Sequence, residues 1–455
     1  MKVLIVDMTH GGAMIASEFL KLPDFEVFAW DIYSTLEQSI RDELMDSGLK
    51  FVETRGTDDL NADENQTPKV DWIVAPVHCK LESKVNMTHH EAVGFLLKDK
   101  INIPVIEVTG VKGKTSVVWM LKEIFKGYNP LVLSSLGVEV LEDSDWKVLK
   151  QNISITPASI IEAWKLAEDY EIGICIFETS LGGTGLADVG ILTNLAEDYP
   201  IAGGSGSASD AKLQIFNSRI VVCEQDSFNS KYHEFQMKTN TFYTGVNGEN
   251  PANVTTSQIR FGFDETTFRV DIVDFKTLGN DILNDSFELS TLAPAPIHVS
   301  NVLAALSASL TLEVPVKKIK EGFKNFRGVK GRTSIKEYNG MRVIEEMNPG
   351  LNVTAVKKAL DMMNDMEDVG VIFGGKYGVT CEEIDEESVS KVLDEINDDS
   401  YLILVDELGS SLKNILKRKY EYYSDLNDAM GCAVENKCLN ILLIYRSNFS
   451  DIEKR

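Results

Sequence analysis

Val105-Ile-Glu-Val-Thr-Gly-Val-Lys-Gly-Lys-Thr-Ser116 is the stretch that decides the fold. Ile103 to Val108 is an apolar run of strand length, and Gly110 and Gly113 supply a turn directly behind it. A helix is predicted next, because Val117, Met120, Leu121, Ile124 and Phe125 recur on one stripe at helical spacing. Strand, glycine turn and helix in that order make a phosphate cradle. Glycines let backbone N–H groups close round phosphate oxygens, and the helix start aims its positive end at them. Lys114 is placed to reach the terminal phosphates, and the Thr115 hydroxyl to hold Mg²⁺. ATP is therefore the expected ligand, held by Thr109, Gly110, Val111, Lys112, Gly113, Lys114, Thr115 and Ser116. Only Val111 and Lys112 separate the two glycines, where the common phosphate loop has four residues.

Outward from the loop, the first acid in a comparable place is Glu178, at the carboxyl end of the apolar run Ile172–Phe177. Open α/β sheets present their ligand groups at that edge, and a carboxylate there suits Mg²⁺ better than it suits a helix cap. A further buried strand, Val189–Thr193, ends at Asn194. Residues 1–103 alternate strands (Val3–Asp7, Glu26–Trp30, Asp71–Pro76) with a helix at Ala13–Leu20, which predicts an open, mostly parallel sheet. Gly11-Gly12 and Asp31 sit where a dinucleotide-binding unit would have them, but no spaced glycine fingerprint accompanies them.

Between about 240 and 293 the chain turns polar and strand-rich (Phe261–Phe263, Phe268–Val273, Ser286–Leu292), which reads as a small antiparallel sheet added to the core. From about 330 a βαβ pattern resumes at Arg342–Glu345, Val353–Met363, Val369–Phe373, Tyr401–Val405 and Cys438–Ile444. Asn61–Pro68 and Asp394–Ser400 read as solvated connectors.

Composition removes several classes of function. A formal net charge of −25 argues against nucleic acid or an anionic membrane as a partner, since both demand a basic footprint. No apolar run approaches the ~18 residues that span a bilayer. The opening Met1–Asp7 reads as a core strand rather than a secretion signal, and six scattered cysteines without a CxxC pair suit a reduced, cytoplasmic protein. Oligomeric state is not legible.

The shortened loop Thr109-Gly-x-x-Gly-Lys-Thr-Ser116 resembles that of the ATP-dependent Mur and folylpolyglutamate synthetase ligases. Asn194, Lys212 within Ala211-Lys-x-x-x-Phe216, Asn301 before Ala304-Ala305, Arg332 after Gly331, and Glu345-Glu-Met-Asn-Pro349 follow in that family's order. The resemblance implies an α/β chain of three domains: a Rossmann-like substrate domain (1–103), a central ATP-binding domain (104–329) and a Rossmann-like C-terminal domain (330–455). It implies that Lys114, Glu178 and Lys212 are catalytic, and that Lys212 becomes carbamylated to help position a second Mg²⁺. It further implies that Asn194, Asn301 and Arg332 contact the nucleotide, and that Thr115 and Glu178 bind metal. Tyr199 departs from the pattern, which has a metal-binding histidine there; a phenol is a poor Mg²⁺ ligand at neutral pH. His298 falls one place later than the family histidine.

Thr88-His89-His90-Glu91-Ala92-Val93-Gly94 and the run from Glu178 to Asn194 are similar to one branch of the family, found in methanogenic archaea. That likeness implies a small-molecule substrate, an anionic tetrapyrrole acid in which nickel belongs to the substrate. A propionate is activated as an acyl phosphate, and a ring carbon closes on it to give a carbocyclic ketone with release of ADP and phosphate. On this reading the glycine tract Leu181–Gly185 lets a flat ligand approach the backbone, and His78, Cys79, His89 and His90 are substrate contacts or structural groups. Two alternatives are an amide ligase adding an amino acid and a nucleotide-gated cofactor carrier. The first lacks a recognisable arginine motif at Lys376–Cys381, and the second lacks a metal-binding His or Cys tract.

Overall fold

The computed structural model describes residues 1–52, 69–79, 81, 83–196, 198, 200–201, 204, 206–245, 251–347, 351–363, 369–378, 384–397 and 400–447. The expected connector Asn61–Pro68, Tyr199, Asn348-Pro349 and Cys381 lie outside them. The chain divides into two compact units, residues 1–255 with 271–286 and 300–322, and residues 256–270 with 287–299 and 323–455.

In the first unit a five-stranded parallel sheet runs in the order Lys50–Phe51, Glu26–Trp30, Lys2–Val6, Trp72–Ala75, Met87–Thr88. Both faces of Lys2–Val6 are covered, which is why Val3 to Val6 is continuously apolar rather than alternating. The helix Ala13–Leu20 lies where expected and buries Ile15, Ala16 and Phe19. The first strand stops one residue short of the expected Asp7, because Asp7 adopts φ 69 and begins a turn.

A second sheet is centred on Val105–Thr109. It lies between Ile174–Glu178 and Val189–Leu192, all parallel. Pro130–Ser134 continues the sheet on one side, and Ile220–Glu224 and Thr239–Tyr243 on the other. Val105 to Thr109 is buried throughout, as a central parallel strand should be. Beyond Pro130–Ser134 the chain adds an antiparallel hairpin, Gly137–Glu142 and Asp145–Gln151, that the sequence reading did not assign. Its outer strand is almost wholly exposed, so it carries no apolar alternation to read. The polar stretch folds as the strands Val254–Arg260, Thr266–Lys276 and Ile282–Thr291, and Phe261–Phe263 falls in the turn between the first two.

The second unit holds a seven-stranded sheet ordered Gly328–Val329, Arg332–Tyr338, Met341–Met347, Asn440–Arg446, Val369–Gly375, Leu402–Val405, Glu421–Tyr423. Its last five strands are parallel. Val371, Phe373, Leu404 and Ile444 fill one face, and Ile372, Ile403, Ile441 and Leu443 the other. No described helix is long and apolar enough to cross a membrane.

Candidate active site

The turn after Val105–Thr109 is built from two residues that only glycine tolerates. Gly110 has φ 141 and Gly113 φ 88. A Cβ on Gly110 would lie 2.0 Å from Thr193 Oγ1, and one on Gly113 would lie 2.1 Å from Asn301 Oδ1. The loop is thus clamped from two sides. Asn194 braces it further: Val111 N–H donates to the Asn194 carbonyl (3.0 Å), and Lys112 N–H to Asn194 Oδ1 (3.3 Å). Thr193 Oγ1 (2.6 Å) and Asn194 Nδ2 (2.9 Å) both donate to the Lys112 carbonyl. Lys114 opens the helix Lys114–Ile124, and its ammonium donates to the Gly110 carbonyl at 3.2 Å, curling over the loop. Ser116 follows on the same helix. Asn301 is buried against this loop.

Behind the loop, Glu178 is 2% exposed at the end of its strand. Thr115 Oγ1 donates to its Oε1 at 3.0 Å, and the Ser135 N–H donates to its Oε2 at 3.0 Å. Lys212 ends the short helix Ala208–Lys212 with 1% exposure. Burial first, and then the charge of Lys114, push its ammonium down to about 8, with Asp198 opposing. Arg332 is exposed and starts a mostly half-buried strand of the second unit. There Thr333 donates to Glu346, whose carboxyl burial raises to about 7, and also meets His298 Nε2 at 3.2 Å. Desolvation drives the half-buried His298 down to about 4, so its ring is neutral. The structure therefore gathers Thr109–Ser116, Glu178, Asn194 and Asn301 at one edge of the central sheet, with Lys212 close enough to feel Lys114.

Two groups of residues near the loop are held by the protein's own atoms. In the tract Leu181–Gly185, which the sequence reading gave to close approach of a flat ligand, Gly182 and Gly183 are required by the protein's own atoms. A Cβ on Gly183 would lie 2.8 Å from Glu107 Oε2, and one on Gly182 would lie 2.8 Å from the Ala211 carbonyl. Glu107 is fully buried, takes the Thr184 N–H at 2.8 Å, and is raised by burial to about 7. His89 and His90 are structural: their Nε2 atoms bond the Val6 (2.9 Å) and Ser180 (3.0 Å) carbonyls, and burial lowers both rings to about 4.

His78 instead joins two residues that sequence reasoning passed over. Asp7, His10 and His78 bring their ligating atoms within 4.8 Å of one another. The available signal was Asp7-x-x-His10 directly behind the first strand, which the search for a dinucleotide motif at Gly11-Gly12 obscured.

Solved structures share this architecture. MurF from Acinetobacter baumannii superposes with a TM-score of 0.57 at 16% identity, covering 84% of this chain and 83% of its own. A UDP-N-acetylmuramoyl-L-alanyl-D-glutamate–2,6-diaminopimelate ligase gives 0.61 at 14% identity, covering 94% and 88%. A phosphate loop set in this α/β fold gives the chain the Mur-ligase architecture.

Residues 335–448 match the family described as Coenzyme F430 synthetase CfbE, C-terminal domain. The coenzyme F(430) synthetase of Methanocaldococcus jannaschii is 30% identical over 426 residues, covering 92% of this chain and 94% of its own. That of Methanosarcina acetivorans is 29% identical over 481 residues, covering 95% of each. The chain belongs to the coenzyme F(430) synthetase family.

Proposed function

We propose that this ligase closes the carbocyclic ketone ring of coenzyme F(430) on a nickel tetrapyrrole seco-acid, with release of ADP and phosphate. The observation that carries the reading is the similarity to coenzyme F(430) synthetases along nearly the whole chain. In this scheme residues 1–103 receive the tetrapyrrole and 104–329 hold ATP. A propionate oxygen attacks the γ-phosphorus, ADP leaves, and the resulting acyl phosphate is attacked by a ring carbon. Lys114 and the N–H groups of Gly113–Ser116 offset charge on the transferred group, where most catalysis of phosphoryl transfer arises.

Thr115 and Glu178 suit Mg²⁺. Their oxygens stand 3.0 Å apart, close to the ~2.9 Å between neighbouring ligands of an octahedral ion bound at about 2.05 Å. Mg²⁺ held there would neutralise phosphate charge. Lys212, lowered to about 8, has about one amine in ten neutral at pH 7, and carbamylation consumes the neutral amine.

The test is to incubate the protein with ATP, Mg²⁺ and the seco nickel acid and to follow the tetrapyrrole by mass. Loss of one water per ATP supports the reading. Phosphate release that requires an added amino acid would replace it with amide ligation, and release without covalent change would make the protein a carrier.

A further inference from the structure

We infer that His10, held by Asp7, is the base that removes the proton from the carbon that closes the ring. This rests on the ring-closing function proposed above. Asp7 stands at the carboxyl end of Lys2–Val6, the edge where open α/β sheets present ligand groups. It is fully buried and adopts φ 69, a conformation that costs a non-glycine residue free energy and clusters at functional sites.

Both its carboxylate oxygens are committed to this turn. Oδ1 takes the N–H groups of Thr9 (3.1 Å) and His10 (3.2 Å). Oδ2 faces His10 Nδ1 at 2.8 Å and His78 Nε2 at 3.4 Å. Burial works to raise the Asp7 carboxyl, but the bonds from His78 and His10 outweigh it and keep the group ionised. An anion at Nδ1 fixes the imidazole tautomer that carries its lone pair on Nε2, and the His10 side chain is 50% exposed. This is the arrangement of an oriented general base. Among the described residues, His78, Tyr33, Cys79 and His89 are the other titratable groups that face Asp7 or His10, and burial keeps His89 neutral. Burial, then Cys79 and the Asp7 charge, raise the Tyr33 phenol, and burial and the Asp7 charge raise the Cys79 thiol, so neither competes as a base at neutral pH.

The position fits the reaction. A Cβ on Gly12 would meet the Asp7 carbonyl at 2.1 Å, and one on Gly11 would meet Ala158 Cβ at 2.5 Å, so the turn is seated on the segment 156–158. The neighbouring Ile155 carbonyl accepts Ser180 N–H (3.0 Å) and Oγ–H (3.1 Å). Ser180 follows Glu178 by two residues, and Glu178 accepts the Thr115 hydroxyl. His90, bonded to the Ser180 carbonyl, and His89, bonded to that of Val6, tie the same two edges together. A flat ligand with one carboxylate at the phosphate loop can thus present a ring carbon to His10.

The step balances. His10 Nε2 takes the C–H proton, and the C–H electron pair forms the bond to the acyl carbon. The bond from that carbon to the phosphate oxygen breaks, and phosphate leaves with its electrons. Asp7 is the positioning residue.

The test uses the whole protein with ATP, Mg²⁺ and the seco nickel acid, comparing wild type with His10→Gln and Asp7→Asn. Hydroxylamine traps the acyl phosphate as a hydroxamate, separating activation from ring closure. The inference predicts that His10→Gln activates the acid at the wild-type rate but closes the ring at least ~100-fold more slowly. Imidazole should restore part of the closure in His10→Ala. Ring closure by His10→Gln within a few-fold of wild type would overturn the assignment, as would equal loss of both half-reactions. A wild-type protein that forms no ketone would overturn the ring-closing function instead, which keeps the two failures distinguishable.

Discussion

Replacing Gly113 by alanine should damage ATP use far more than the same change at Gly48, although both glycines have positive φ. Gly113 sits at φ 88 and Gly48 at φ 102. Forcing an alanine into left-handed backbone costs about 1–2 kcal/mol at either position. Gly48 has nothing within 4 Å of its added Cβ, whereas at Gly113 the methyl would lie 2.1 Å from Asn301 Oδ1. Ordinary contacts between heavy atoms are ~3.5 Å, so the loop or the amide must move by more than about 1 Å. Asn301 is buried, and overpacking a buried site costs about 1–3 kcal/mol more.

The expectation is a loss of about 2–5 kcal/mol in stability for Gly113→Ala against about 1–2 for Gly48→Ala. A shift of about 1 Å in the phosphate-binding N–H groups should also lower ATP-dependent turnover ~100-fold. Urea unfolding reads the first quantity, and ADP release in the presence of the seco nickel acid reads the second. Equal stability and equal turnover in the two variants would refute the clamp between Gly113 and Asn301.

Other perturbations probe separate parts of the account. Glu178→Gln keeps the acceptor for Thr115 but removes the charge, so the Mg²⁺ concentration for half-maximal turnover should rise at least ~10-fold in a titration; an unchanged requirement would place the ion elsewhere. Turnover should fall in CO₂-free buffer and return with bicarbonate in wild type but not in Lys212→Arg, measured by phosphate release. Glu18 is fully enclosed and bonded by Lys21, Lys100 and Lys165. Burial works to raise its pKa, but the three ammonium groups outweigh that and hold it at about 2 instead of 4.5. Its stabilisation is present above the unfolded pKa and is lost as pH falls toward 2. The bound is about 3 kcal/mol, reduced because the lysines are solvent-exposed. Melting curves should therefore show wild type losing its advantage over Glu18→Gln between pH about 4.5 and 2.

Much of this architecture could be read from residue order, and the reasons are local. Val105 to Ser116 carries its meaning within twelve residues, so strand, glycine turn and helix were all legible. The parallel strands at Glu26–Trp30, Trp72–Ala75 and Leu402–Val405 were legible because burial on both faces demands unbroken apolar runs. What escaped depends on long-range placement. The outer hairpin strand Asp145–Gln151 is too exposed to leave a pattern. Asp7, His10 and His78 converge only because Lys2–Val6 and Trp72–Ala75 are neighbours in the sheet. The glycines at 182–183 were assigned to a ligand because the buried Glu107 and the Ala211 carbonyl that demand them lie far off in sequence.

The account stands or falls on whether the terminal phosphoryl group of ATP passes to the substrate's own carboxylate. Seco nickel acid labelled with heavy oxygen in its propionate carboxylates reports this directly when the released phosphate is weighed. One labelled oxygen is expected in each phosphate formed. Phosphate that carries oxygen only from ATP and solvent water would contradict it.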